Sequence, residues 1–89
     1  MTDGFFIWDR PGHPTYGWAF RNGAQTVGGP VDDDPCETEQ QKQERWDAGT
    51  ALSLWMGGRL PAHWRHASVD EVGELMTHRE VRRAMDLIL

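Results

Sequence analysis

The run YGWAFRNG, Tyr16 to Gly23, decides the fold class. Tyr16, Trp18 and Phe20 alternate with Gly17, Ala19 and Arg21, the period of two that puts every second side chain on one face of a strand. Asn22-Gly23 follows at once, a strong hairpin signal, because both central residues of a type I′ turn need positive φ. Ala24 to Val27 then reads as the returning strand, broken by Gly28-Gly29-Pro30. Upstream, the apolar run Phe5-Phe6-Ile7-Trp8 ends at the turn composition Asp9-Arg10-Pro11-Gly12. Residues 1–30 therefore predict a three-stranded antiparallel meander with one large aromatic face. A sheet this small is marginal by itself, so other elements must cover it.

Helices supply the cover. The stretch Glu37 to Met56 contains no proline and is rich in Glu, Gln and Lys, with Asp32-Asp33-Asp34-Pro35 before it to cap free N–H groups. Its apolar periodicity begins at Trp46 and continues through Ala48, Ala51, Leu52 and Trp55, and Gly57-Gly58 stops it. Arg59 to Ala67 reads as a connection. Ser68…Glu71 and Thr77…Glu80 both have the form of capping boxes, which start helices at about Val69 and His78. Val69, Val72 and Met76 line one face of the first; Val81, Ala84, Met85 and Ile88 line one face of the second. The fold class is α+β: a three-stranded meander (1–30), an acidic segment and long helix (31–56), and a connection with an αα-hairpin (57–89), in a single domain over residues 1–89.

Ser68 to Met85 invites another reading, a helix-turn-helix with arginines on its second helix. Placing Gly73 in the turn puts Glu74, Arg79 and Arg82 where that motif buries apolar residues, and burying unpaired charges is prohibitive. Breaking at Thr77 instead leaves a turn shorter than the three or four residues the motif uses. Both registers fail. Arg82 and Asp86, four apart, predict a surface ion pair.

Charge narrows the function classes. The 89 residues carry a net charge of −5, and the whole excess lies in Val31–Asp47, where seven acids face only Lys42 and Arg45. Such a segment can steer a basic partner toward one face. It opposes direct nucleic-acid binding, although Arg79, Arg82 and Arg83 could meet a phosphate backbone locally. No apolar run approaches the roughly 20 residues that span a bilayer. The start of the chain has no signal-peptide pattern, and a lone Cys36 fits a reducing compartment, so a cytoplasmic location is expected.

Catalytic and metal chemistry find little footing. His63-x-x-His66 is the one close histidine pair, and only Cys36, His13 and His78 could complete a zinc set, at spacings unlike those of zinc sites. Carboxylates around Cys36 raise rather than lower a thiol pKa. Gly28-Gly29 and Gly57-Gly58 have no phosphate-loop context. No enzyme activity, metal or cofactor is expected. Five tryptophans (Trp8, Trp18, Trp46, Trp55 and Trp64) are a heavy load for so small a core, and any left exposed are natural interface anchors.

Asp34-Pro35-Cys36 followed by Trp46-Asp47-Ala48-Gly49 resembles the Asn-Pro-Tyr … Trp-x-x-Gly pattern of the ribosome modulation factor family, over about residues 34–52. Asp34 and Cys36 replace that family's asparagine and aromatic. The resemblance implies ribosome binding, which in that family uses strongly basic surfaces, whereas this segment is acidic. In overall character the chain is similar to small phage proteins that disable host machinery, such as anti-CRISPRs. The expected function is a protein-binding inhibitor or adaptor that covers a basic, nucleic-acid-binding surface of a host protein or ribonucleoprotein complex. Asp32, Asp33, Asp34, Glu37, Glu39, Glu44, Trp46 and Asp47 are its candidate partner-binding residues. The alternative is a small nucleic-acid-binding or ribosome-associated regulator that uses Arg79, Arg82 and Arg83.

Overall fold

A computed structural model describes residues 3–31 and 36–89. In chain order the elements are β1 (Gly4–Trp8), β2 (Gly17–Asn22), β3 (Gln25–Pro30), α1 (Glu39–Ser53), β4 (Trp64–His66), α2 (Val69–Leu75) and α3 (Arg79–Asp86). The strands form one antiparallel sheet in the order β3-β2-β1-β4. The meander is thus part of a larger sheet. The fourth strand comes from the stretch that reads as a connection: Trp64 pairs with Trp8 and His66 with Phe6. Bonds from Asp9 N to His63 O and from Ala67 N to Phe5 O, both 3.0 Å, extend this ladder at its two ends.

The β2–β3 turn lies one residue later than the Asn-Gly signal suggests. Asn22 pairs with Gln25, which leaves Gly23-Ala24 as the central residues. Gly23 has φ +65° and Ala24 does not have positive φ. One positive φ, at the first central position, fits a type II′ turn rather than type I′. Beyond it β3 runs through Gly28 and Gly29 to Pro30 instead of breaking. An edge strand tolerates glycine and proline because only one side of its backbone must be paired. Gly28 also answers a steric need: a β-carbon there would collide with the Trp18 carbonyl oxygen.

Both faces of the sheet are buried, whereas the alternation in β2 points to one aromatic face. Odd-numbered β1 residues and even-numbered β2 residues face α2 and α3, where Ile7 and Trp18 pack with Val31, Leu75, Val81 and Met85. The other face holds Phe6, Trp8 and Ala19 with Trp64 from β4 and Leu52 from α1. β1, covered on both sides, has the continuous apolar sequence such a position requires.

α1 is shorter than the stretch Glu37–Met56. Thr38 is its N-cap, in a capping box with Gln41, and the chain leaves the helix at Leu54. Its buried stripe is Ala48 and Leu52, continued by Trp55, while Trp46 and Ala51 stand exposed. Three side chains from the sheet side donate to carbonyls along it. His13 Nε2 lies 3.0 Å from Gln41 O, Trp64 Nε1 2.9 Å from Ala48 O, and Arg21 Nη1 3.0 Å from Leu52 O. Arg21 is itself buried, with its guanidinium carbon 5.7 Å from the Trp55 ring centre.

α2 begins with the Ser68–Glu71 capping box as read from the sequence. The second box does not form. The Thr77 hydroxyl donates to Glu74 O at 2.6 Å, closing α2, and His78 becomes the N-cap of α3 without a side-chain bond. Leu75 is the buried residue of α2, whereas Val69 and Met76 are exposed. On α3 the stripe holds, with Val81 and Met85 buried and Ala84 and Ile88 half-buried. Glu74, Arg79 and Arg82, which a helix-turn-helix would bury, are all exposed. Among the described residues no helix is long and apolar enough to cross a membrane.

Candidate interaction surface

Of the five tryptophans, Trp8, Trp18 and Trp64 are buried and Trp55 is half-buried, but Trp46 is 69% exposed. It is placed there by helical periodicity. The stripe Ala48–Leu52–Trp55 points at the sheet, and Trp46 shares its own face with Gly49, Thr50 and Ser53 at spacings of three, four and seven. That face forms one wall of a cleft of about 520 Å³ that runs round the open edge of β3. Thr26, Gly28 and Pro30 lie along the cleft, and Ala84 and Leu87 form the wall on the α3 side. A second hollow shares Trp18, Gly28, Gly29, Pro30 and Ala84 with it and extends over Val31 and Glu80.

The acidic candidates separate into two groups. Glu37 turns inward: its side chain is 4% exposed and takes Arg45 in a two-point pair, Nε to Oε2 at 3.2 Å and Nη2 to Oε1 at 3.1 Å. Glu44 pairs with Arg10 at 3.2 Å, and its Oε1 is buried without a hydrogen-bond donor among the described residues. His13 completes this cluster. Its buried ring stands edge-on to Trp8, with Nδ1 2.6 Å from Thr15 O and Nε2 3.7 Å from Glu37 Oε2. Glu37 and Glu44 therefore hold the β1–β2 loop against α1, Glu37 with its side chain buried and Glu44 with its side chain 40% exposed. Glu39 and Asp47 remain outward, lightly engaged by Lys42 at 3.5 Å and by Gln43 at 3.0 Å. Asp32, Asp33 and Asp34 lie outside the described residues.

The inward turn of Glu37 left little trace in the sequence. Glu37 and Arg45 are eight apart, about 12 Å along a helix and too far to pair within one, and they meet because Glu37 precedes the helix and folds back. Only the bracketing of Pro11-Gly12 by Arg10 and His13 marks the loop that receives them.

On α3, Arg79, Arg82 and Arg83 are exposed, and no ion pair engages them among the described residues. The Arg82–Asp86 pair expected from the spacing does not form. The strongest exposed pair lies elsewhere. Arg65 on β4 grips Glu71 on α2 with two bonds of 2.7 Å, and Glu71 also accepts the Ser68 N–H in the capping box. These donors hold the Glu71 carboxyl down at about 2, and the Glu71 carboxylate in turn raises the Arg65 guanidinium. The Glu80 carboxyl is lowered by its own backbone N–H and by His78.

His63 and His66 do not converge on a site. His63 sits at φ +66°, and the His66 ring lies tilted against Phe6 with the ring centres 4.8 Å apart. Among the described residues no group of three His, Cys, Asp or Glu side chains could hold a metal ion, and Cys36 is exposed. Comparisons with known protein families, curated proteins and solved structures found no match.

Proposed function

We propose that this chain is a protein-binding inhibitor or adaptor that docks through the outer face of α1, with Trp46 as anchor, on a basic surface of a nucleic-acid-handling complex. The observation that carries the proposal is Trp46 itself, an indole 69% exposed beside Asp47 at the mouth of a cleft. Covering such a side chain on a partner contributes about 2–4 kcal/mol, the scale of an interface hot spot. Asp47 and Glu39 stand ready around it, and Asp32, Asp33 and Asp34 add charge in the preceding segment. Carboxylates at the rim act mainly on association rate and on the choice of a basic partner.

A second reading has its own support: Arg79, Arg82 and Arg83 are exposed cations on one short helix, with no ion pair among the described residues, as a nucleic-acid-binding or ribosome-associated regulator would present. One experiment separates the two. The tagged protein is used to capture its partner from lysate, alongside three variants. Trp46→Ala, and the joint change of Asp33, Asp34, Glu39 and Asp47 to lysine, should each abolish capture. Both should leave the circular dichroism spectrum intact. Changing Arg79, Arg82 and Arg83 to glutamate should preserve capture. Loss of capture in the arginine variant alone would overturn the acidic-face reading in favour of the second.

A further inference from the structure

The chemistry of β3 goes beyond a wall for Trp46. Val31 N donates to Tyr16 O at 3.0 Å, which makes Tyr16/Val31 a hydrogen-bonded pair. In an antiparallel ladder such pairs alternate, so Trp18/Gly29, Phe20/Val27 and Asn22/Gln25 share the bonds to β2. Thr26, Gly28 and Pro30 then turn their main-chain groups away from the sheet: two N–H donors and three carbonyls, with no N–H at Pro30. Proteins normally blunt such an edge with charge, brevity or a covering element. The opposite edge, β4, is three residues long and carries Arg65. β3 is six residues, Gln25 to Pro30, with no charged side chain.

The surroundings of this edge have room for another strand. A neighbouring strand lies about 4.8 Å away and sends its side chains alternately to the two faces. Here one set would meet Trp46, Thr50 and Ser53 on α1, and the other Ala84 and Leu87 on α3, within the cleft already described. Gly28 and Gly49 keep the passage clear of side chains. Thr26 Oγ1 is buried at this edge with no hydrogen-bond partner among the described residues.

Charge selects the occupant. Glu80 lines the hollow at the Pro30 end. Asp32, Asp33 and Asp34 follow Pro30 within four residues of sequence. Arg45 lines the cleft, but Glu37 has neutralised it. A second copy would bring another net −5 against the same edge.

We infer that the β3 edge, between α1 and α3, binds an extended segment of a partner protein as a fifth strand. The segment alternates small and apolar residues and carries lysine or arginine at the end lying over Pro30. This rests on the reading of the chain as a protein-binding module and specifies the form of what it binds.

The test uses the whole chain and three capped nine-residue peptides of alternating Val and Thr: one ending in two lysines, one ending in two glutamates, and the lysine peptide with N-methyl groups on alternate residues. Binding is followed by amide NMR. The lysine peptide should shift and protect the Thr26 and Gly28 amides and shift the Trp46 indole. The glutamate peptide should bind about tenfold more weakly, and the N-methyl peptide should not bind. Thr26→Pro removes an outward N–H and no ladder bond, and should weaken the lysine peptide about fivefold or more. The Val27 and Gly29 amides report whether that variant keeps its sheet, and the N-methyl peptide tests the same bonds without any variant. Equal binding of the lysine and glutamate peptides, undiminished binding of the N-methyl peptide, or a wild-type dimer with Thr26 and Gly28 already protected would each overturn the inference. If no peptide binds while the lysine variant of the acidic face still loses its captured partner, strand addition fails and the proposed function stands. If the lysine peptide binds while that variant keeps its partner, the strand site stands and the acidic-face reading fails.

Discussion

Leu52→Ala tests how α1 is held to the sheet. Leu52 is the one fully buried side chain of this helix, in contact with the layer of Phe6, Trp8, Ala19 and Trp64. Phe6 and Trp8 belong to a strand paired on both sides, so the floor beneath the lost methyls cannot collapse into the space. The change should therefore fall in the middle of the range for leucine truncation, about 3–4 kcal/mol. An 89-residue domain has roughly 5–13 kcal/mol in all. The loss is thus at least about a fifth of the total and should lower the midpoint of thermal unfolding by about 12–25 °C. Leu52 is the one fully buried side chain of α1 whereas β1 is paired on both sides, so the helix should loosen before the sheet does. Hydrogen exchange should show α1 amides losing protection while β1 and β2 retain theirs. A fall of less than about 5 °C, or α1 amides protected as in the parent, would refute the view that Leu52 anchors the helix.

Trp64→Phe removes the indole donor to Ala48 O but leaves that carbonyl in the helix, so the cost should be about 1–2 kcal/mol in urea unfolding, including the smaller ring. Gly28→Ala drives a methyl into the Trp18 carbonyl and should cost about 2 kcal/mol or more, with amide shifts centred on β2 and β3. Glu71→Gln should remove about 1–2 kcal/mol at pH 7. Its carboxyl, held at about 2 against an ordinary 4.5, represents about 3 kcal/mol by linkage, and the half-exposed Arg65 partner leaves part of that to solvent screening. Because the folded value is the lower one, this stability is present above about pH 4.5 and is lost as pH falls toward 2. The difference between Glu71→Gln and the parent should therefore vanish in thermal melts near pH 2.

The local code of the chain determined the elements whose signals are short-range. Alternation at Trp18 and Phe20, the glycine near the turn, the Ser68–Glu71 box and the Val81–Met85 stripe each depend on neighbours within about four residues, and each holds in the structure. Tertiary structure decided what depends on distant partners. Trp64-Arg65-His66 is too short to carry a period and becomes a strand only because β1 offers a free edge. β3 could continue through Gly28-Gly29-Pro30 because no described strand pairs on its far side. The box at Thr77 lost its hydroxyl to the end of α2. Glu37, one of seven acids in a polar stretch, is buried because Arg45 and the loop of His13 close over it. Five tryptophans are chemically alike, and their burial follows from which side of a two-faced sheet each one meets. The helical turn that sends Leu52 into that sheet sends Trp46 out of it, and the period of 3.6 residues is the physical reason both are true at once.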